Sequence, residues 1–238
     1  MDWDLLQNGA RQYHLQLSAG QLAAFETYAR ELLDWNQRLN LTRITEPQEI
    51  ITKHFLDSLS VALALADLPA NLSLIDVGAG AGFPGLPLKI ALPHLRLTLL
   101  EATGKKTKFL EHVIEQLHLP DTRVVTARAE EAGRNPAHRQ RYDVAVARAV
   151  AALPVLAEYT LPLVKPGGRV IAQKGQSPTE EAQAAANALG ILGGRLERIQ
   201  PVAVAGLDEQ RHLLVIQKTK ATPPQYPRRP GLPAKKPI

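Results

Sequence analysis

Residues 74–85 read Leu-Ile-Asp-Val-Gly-Ala-Gly-Ala-Gly-Phe-Pro-Gly, and no other stretch of the chain restricts the fold as much. A short apolar run entering alternate glycines predicts a buried strand, a tight turn and the start of a helix. Glycine is needed there because the turn demands positive φ and because the main chain must come close to whatever lies against it. Such a turn marks the carboxyl end of a sheet strand, the edge at which open α/β sheets bind ligands.

Beyond the turn the pattern is regular. Strands are predicted at 95–101, 123–126, 142–147 and 168–173, with helices at 105–117, 153–164 and 179–189 between or after them. Alternation at this spacing predicts an α/β, Rossmann-like, mostly parallel doubly wound sheet. Two last strands, at about 195–204 and 211–218, are joined by residues 206–210. That link is too short for a crossover helix, so at least one of the two should run antiparallel.

Upstream, Ser18-Ala19-Gly20-Gln21 fits a capping box that opens a helix running to about residue 40. Thr45-Glu46-Pro47-Gln48 predicts a second start, with Ile50, Ile51, Phe55, Leu59 and Leu63 facing inward. On this second helix His54, Asp57 and Ser58 share a face, either as a solvated or hydrogen-bonded trio or as a wall of a pocket. The expected organisation is a helical extension over 1–70, the sheet domain over 71–218 and an arm over 219–238. Residues 131–141 are polar and read as a mobile loop, and six prolines past Lys218 predict an extended arm with no further packed helix.

No apolar run approaches the roughly 20 residues of a membrane span, and the N-terminus is acidic where a signal peptide is basic. A cytoplasmic protein is expected. The absence of cysteine excludes disulfides, thiolate metal sites and cysteine nucleophiles, and no metal is expected. Lys218, Lys220, Arg228, Arg229, Lys235 and Lys236 fall in the last 21 residues without an acid among them, while the other 217 carry 22 basic and 23 acidic residues. A tail of this charge suits a polyanion such as nucleic acid.

Two registers of the glycine turn are open. Gly80, Gly82 and Gly85 match G-x-G-x-x-G, the dinucleotide pattern. Asp76, Gly78, Gly80 and Gly82 match D-x-G-x-G-x-G, and Asp76 favours this second register. A carboxylate beside the ligand would repel a pyrophosphate but suits the ammonium and sulfonium of S-adenosylmethionine. Glu101 ends the next strand, where an acid can accept bonds from ribose hydroxyls in either kind of site. Ala129 and Glu130 follow the third strand at the expected adenine edge, although Glu130 also suits the start of a helix. Arg148 ends the fourth strand, where a methyl acceptor would arrive.

The acceptor chemistry narrows by exclusion. Pyrimidine C5 methylation uses a cysteine nucleophile, and the chain has none. Ala147-Arg148-Ala149-Val150 is not the Asn/Asp-Pro-Pro-aromatic loop of enzymes that methylate exocyclic amines of bases. Guanine N7 fits a site without a convincing general base, because its in-plane lone pair needs no prior deprotonation and asks mainly for positioning.

Asn40-Leu41-Thr42, His54-Phe55-Leu56-Asp57-Ser58-Leu59, the run from Asp76 to Gly85, Glu101 followed by Lys105-Lys106, Arg148-Ala149-Val150, Lys165-Pro166-Gly167-Gly168 and Tyr226-Pro227-Arg228-Arg229-Pro230-Gly231 together resemble the bacterial 16S ribosomal RNA guanine-N7 methyltransferases, the glucose-inhibited division protein B family. The resemblance spans nearly the whole chain. It implies methyl transfer from S-adenosylmethionine to N7 of a guanine in the decoding-region loop of 16S ribosomal RNA, free or in the small ribosomal subunit, by a monomer. It also implies cofactor contacts at Gly78, Phe83, Ala129, Glu130 and Arg148, to which Asp76, Gly80, Gly82 and Glu101 are added from the turn itself. Arg148 and His54 are the candidates for acceptor positioning. Lys105, Lys106, Arg228 and Arg229 are candidates for RNA phosphates, the two lysines having the alternative of a solvated helix start. A methyltransferase acting on a protein or small molecule, and a nicotinamide-dependent dehydrogenase, remain as other readings.

Overall fold

The computed structural model describes residues 1–238. Seven strands form one sheet: β1 (Ser73–Val77), β2 (Arg96–Glu101), β3 (Thr122–Thr126), β4 (Tyr142–Arg148), β5 (Val164–Lys174), β6 (Gly194–Val202) and β7 (Arg211–Lys218). Their order across the sheet is β3-β2-β1-β4-β5-β7-β6. The first five pair in parallel, while β7 is antiparallel to both β5 and β6, as the short link before it requires.

Side chains alternate across the sheet, and the alternation sorts the core into two layers. Leu74, Val144, Val146, Ile171, Leu213 and Val215 face the first core, which also contains Leu6, Phe25, Ile50 and Phe55 from the N-terminal segments. Ile75, Val77, Ala145, Ala147, Leu214 and Ile216 face the second core, beneath the helices Leu153–Thr160 and Ala186–Leu192. The same parity sends the last residues of the central strands to defined sides. Arg148 follows Val144 and Val146, Gln173 follows Ile171, and Arg211 precedes Leu213 and Val215. All three therefore lie on the first face, beneath the N-terminal segments, and Arg148 and Gln173 are register partners.

The helix Ala19–Leu39 begins with the expected capping box between Ser18 and Gln21. The second start differs from expectation: Glu46, not Thr45, is the N-cap, and no side chain caps it. The helix then widens into a π-helical stretch, Ile50–Leu56, before Asp57–Leu59 and a 3-10 turn, Ser60–Ala64. Wide turns of this kind recur at functional sites. A first helix, Trp3–Arg11, capped by Asp2, was not apparent from the sequence. The helix expected over 179–189 is two pieces, Pro178–Ala184 and Ala186–Leu192.

Two expectations about polar segments are corrected. Residues 131–141 are not a free loop, because a helix, Ala129–Arg134, enters them and Arg139 donates to the carbonyls of Gly133, Thr222 and Tyr226 at 2.7–2.8 Å. The arm past Lys218 is not extended either. It folds back over Arg139 and Arg134, whose guanidinium donates to the Pro227 carbonyl, and ends in a short helix, Leu232–Lys235, with Pro233 buried. Proline excluded only an inner helix position; Pro233 occupies the first turn, where no amide donor is needed.

Candidate active site

Gly78, Gly80 and Gly82 adopt φ of 75°, 60° and 98°, as the turn after β1 requires. Asp76 lines neither of the two cavities at this edge, so the structure does not place its carboxylate where its position in the sequence predicts it. It faces the first core, is fully buried, and its Oδ2 accepts the Gly85 amide at 2.8 Å. A Cβ on Gly85 would meet that oxygen at 2.9 Å. Burial raises the Asp76 carboxyl from 3.8 to about 7, because desolvation outweighs the Gly85 bond and the Arg148 charge, with Glu101 adding to the rise. Asp76 thus braces the turn from within.

Glu101 does face the ligand edge. Its Oε2 accepts the Gly80 amide at 2.9 Å and its Oε1 the Thr103 amide at 2.8 Å, leaving further lone pairs on each oxygen. With Gly78, Ala129, Glu130, Val150 and Tyr159 it lines a cavity of about 190 Å³ on the second face. A Cβ on Gly78 would meet Val150 Cγ2 at 2.8 Å, so only glycine keeps this floor. Glu130 is buried and its Oε1 accepts the Gly231 amide of the tail at 2.9 Å. Gly82 and Phe83 lie away from this cavity. Gly82 packs on Leu86 and Tyr28, and Phe83 is stacked beneath His54 with centroids 4.3 Å apart.

Arg148 is the hub of the first face. Its Nη1 donates to Asp57 Oδ2 at 2.8 Å and to the Lys53 carbonyl at 2.9 Å, and its guanidinium lies 4.9 Å above the Phe83 ring. Its Nη2 lies 3.3 Å from His54 Nδ1, and His54 Nε2 is 2.8 Å from Thr42 Oγ1. The guanidinium can only donate, so Nδ1 is the acceptor and Nε2 carries the proton. Burial and the Arg148 charge push the His54 imidazole down to about 3. Its ring is a neutral support for Arg148. Ser58, which shares the helix face, turns back to the His54 carbonyl and does not join the cluster.

A second cavity, of about 420 Å³, opens against this cluster and is lined by His54, Asp57, Arg148, Gln173, Lys174 and Arg211, among others. Ala149 lines it with φ of 55°, while Val150 lines the glycine-floored cavity. Residues 148–150 therefore form a wall common to both. A further polar cavity of about 470 Å³, near Arg96, Arg123 and Arg141, sits at the amino edge; of the residues singled out above as cofactor, acceptor or RNA contacts, none lines it.

The expected RNA-facing residues divide. Lys105 is exposed and Lys106 half-buried at the start of the helix Gly104–Gln116, next to the ligand edge. Two cations do nothing for a helix N-terminus, so helix formation does not explain them. Arg229 is exposed. Arg228 is not available to phosphate as expected: its guanidinium donates to both carboxylate oxygens of Glu158, at 2.6–3.1 Å, and Glu158 is fully buried. Lys218, counted above with the basic tail, is buried too. It donates to the Leu161 and Leu192 carbonyls and to Thr222, and desolvation lowers its amine from 10.5 to about 7.

Gln173, Arg211 and Lys174 were not singled out from the sequence. The signal that would have found Gln173 was strand parity, since it occupies in β5 the position that Arg148 occupies in β4.

Comparison with known proteins agrees with this arrangement. The family model described as rRNA small subunit methyltransferase G matches residues 21–214. Ribosomal RNA small subunit methyltransferase G from Roseiflexus sp. (strain RS-1) is 51% identical over 99% of both chains. The protein of the same name from Acetivibrio thermocellus is 50% identical over 98% of this chain and 96% of its own. Among solved structures, a 16S rRNA (adenine(1408)-N(1))-methyltransferase from Catenulisporales acidiphilia aligns with a TM-score of 0.52 at 15% identity, covering 64% of this chain and 87% of its own. The cyclase SpnF aligns with a TM-score of 0.53 at 16% identity, covering 69% and 81%. Those two structures share the fold, and their different names show that the fold alone does not set the reaction. The near full-length identities do more: this chain belongs to the small-subunit ribosomal RNA methyltransferase G family.

Proposed function

We propose that this protein transfers a methyl group from S-adenosylmethionine to N7 of a guanine in the decoding-region loop of 16S ribosomal RNA. The observation that carries this is the pair of adjoining cavities at the carboxyl edge: one floored by Gly78 and walled by Glu101, the other ringed by cations, with its carboxylate, Asp57, paired to Arg148. Relatives of the same name at about half identity over the whole chain support it.

The residues present fit the cofactor. The Gly78 floor admits a close main-chain approach, and Glu101 keeps free lone pairs for hydroxyl donors. Gly78, Gly80, Glu101, Ala129 and Glu130 are the contacts we assign to it. Asp76, Gly82 and Phe83 act indirectly, by holding the turn and the floor beneath Arg148. When bound, S-adenosylmethionine supplies a methyl group on positive sulfur, and N7 takes it with its lone pair without losing a proton.

The chain's own task is positioning and exclusion of water. Arg148 is neutralised by Asp57, so it adds no uncompensated positive charge beside a base that becomes cationic. His54, held neutral, keeps Arg148 in place and moves no proton. Lys105, Lys106 and Arg229 are assigned to RNA phosphates, an arrangement that fits the exposure of Lys105 and Arg229. Action as a monomer fits a surface whose one exposed large hydrophobic residue is Met1. A bacterial cytoplasmic location follows from the substrate; no helix is long and apolar enough to cross a membrane.

The test is transfer of a labelled methyl group to small ribosomal subunits that lack the modification. The label should appear at one guanine of 16S RNA where borohydride and aniline cleave the chain. Labelling of protein alone, or of a nucleotide resistant to that cleavage, would sink the assignment.

A further inference from the structure

Two residues that line the cation-ringed cavity each carry a buried oxygen without a hydrogen-bond partner: Asp57 Oδ1 and Gln173 Oε1. Both residues line that cavity, and both are buried, at 5% and 6% exposure. Their orientations are forced. Gln173 Nε2 donates to the Asp57 main-chain carbonyl at 2.7 Å, and a carbonyl can only accept, so the amide cannot be turned to present nitrogen in place of Oε1. Asp57 gives Oδ2 to Arg148 and leaves Oδ1 with Arg211 Nε at 3.5 Å, an ion-pair distance beyond a good hydrogen bond. The Gln173–Asp57 bond sets the Gln173 side chain against the Asp57 main chain, and both residues line the same cavity. A buried acceptor left unsatisfied is costly in a native protein and calls for an explanation.

We infer that Asp57 and Gln173 read the Watson–Crick edge of the acceptor base, with Asp57 Oδ1 accepting N1–H and Gln173 Oε1 accepting the 2-amino group of guanine. Among the four RNA bases only guanine presents two adjacent donors on that edge. Adenine and cytosine present a donor beside an acceptor, and uracil a donor between two acceptors. The carboxylate, the stronger acceptor, takes the more acidic ring N–H. A base extruded from its strand is commonly read on this edge. N7 lies on the adjoining Hoogsteen edge of the purine, away from N1 and the 2-amino group, and stays free to react, while O6, beside N1, falls toward the Arg211 cation that shares Asp57 Oδ1. The inference rests on the guanine reading above, and its chemistry selects that base independently of the relatives' names.

The experiment replaces the labelled guanosine by inosine, which keeps N1–H, O6 and N7 and lacks only the 2-amino group. The 16S RNA is assembled by ligation around a synthetic segment and reconstituted into small subunits. With wild-type enzyme, kcat/KM on inosine should fall by about 100-fold or more, the usual consequence of leaving a site's polar group unpaired. Gln173→Met keeps the volume and removes the acceptor. It should bring the guanosine-to-inosine ratio to within about 3-fold, with affinity for S-adenosylhomocysteine retained as the check on folding. Equal wild-type rates on the two substrates would overturn the inference, as would a Gln173→Met enzyme that keeps the wild-type ratio. If wild-type enzyme fails to label the guanosine control, the failure belongs to the function assigned above and not to the reading of the base.

Discussion

Arg228 and Arg229 are adjacent arginines in one basic tail, yet their side chains should respond to removal in opposite ways. Glu158 is 1% exposed as a side chain and receives the Arg228 guanidinium through three contacts as well as the Arg228 amide at 2.7 Å. Arg228→Ala leaves a buried carboxylate without its counter-charge, a loss that runs at about 3–5 kcal/mol in buried pairs. Arg228 is itself 22% exposed, which puts the expected loss near the lower end, about 3 kcal/mol. For a chain of this size that lowers Tm by about 6–12 °C. Removing both charges in Glu158→Leu/Arg228→Met should recover all but about 1 kcal/mol, the remainder being the orphaned Arg228 amide. Arg229→Ala, by contrast, should leave stability within about 0.5 kcal/mol and reduce the salt slope of RNA binding by about 1. Urea and thermal unfolding of the four proteins, with RNA binding from 50 to 200 mM salt, decide the matter. If Arg228→Ala melts within 2 °C of wild type and flattens the salt slope as Arg229→Ala does, the ion pair is not structural and the reasoning fails.

Two pH predictions follow from buried groups. The Asp76 carboxyl, raised from 3.8 to about 7, keeps its proton in the folded chain after the unfolded chain has lost it, so stability falls as pH rises through that window. Urea unfolding should show wild type losing up to about 1.4 kcal/mol per pH unit between pH 4 and 7 relative to Asp76→Asn; parallel stability curves would refute the assignment. The His54 imidazole, depressed to about 3, stays neutral through the working range, so kcat/KM between pH 5.5 and 8.5 should show no ionisation of His54 near its ordinary 6.5. A limb near pH 6.5 that disappears in His54→Gln would make His54 a proton carrier after all.

By itself the sequence determined the sheet, its parallel core and its antiparallel end, because these follow from local periodicity, glycine placement and the length of connections. It also determined that the glycine turn, Glu101 and Arg148 meet at one edge, since all three end strands there. Only the tertiary structure decided what each charged residue near that edge does. Asp76 and Glu101 share one face of the sheet, but Asp76 lies one residue inside the end of β1 and is sealed in the core, whereas Glu101 is the last residue of β2 and reaches the cavity. Arg228 and Arg229 look alike in the chain, and only the fold brings Glu158, 70 residues away in sequence, under the first of them. Gln173 carried no motif at all; register with Arg148 and a bond to Asp57, 116 residues away, gave it a place in the site. Burial and partnership are properties of long-range contacts, and these set whether a charge is a brace, a clamp or a binding group.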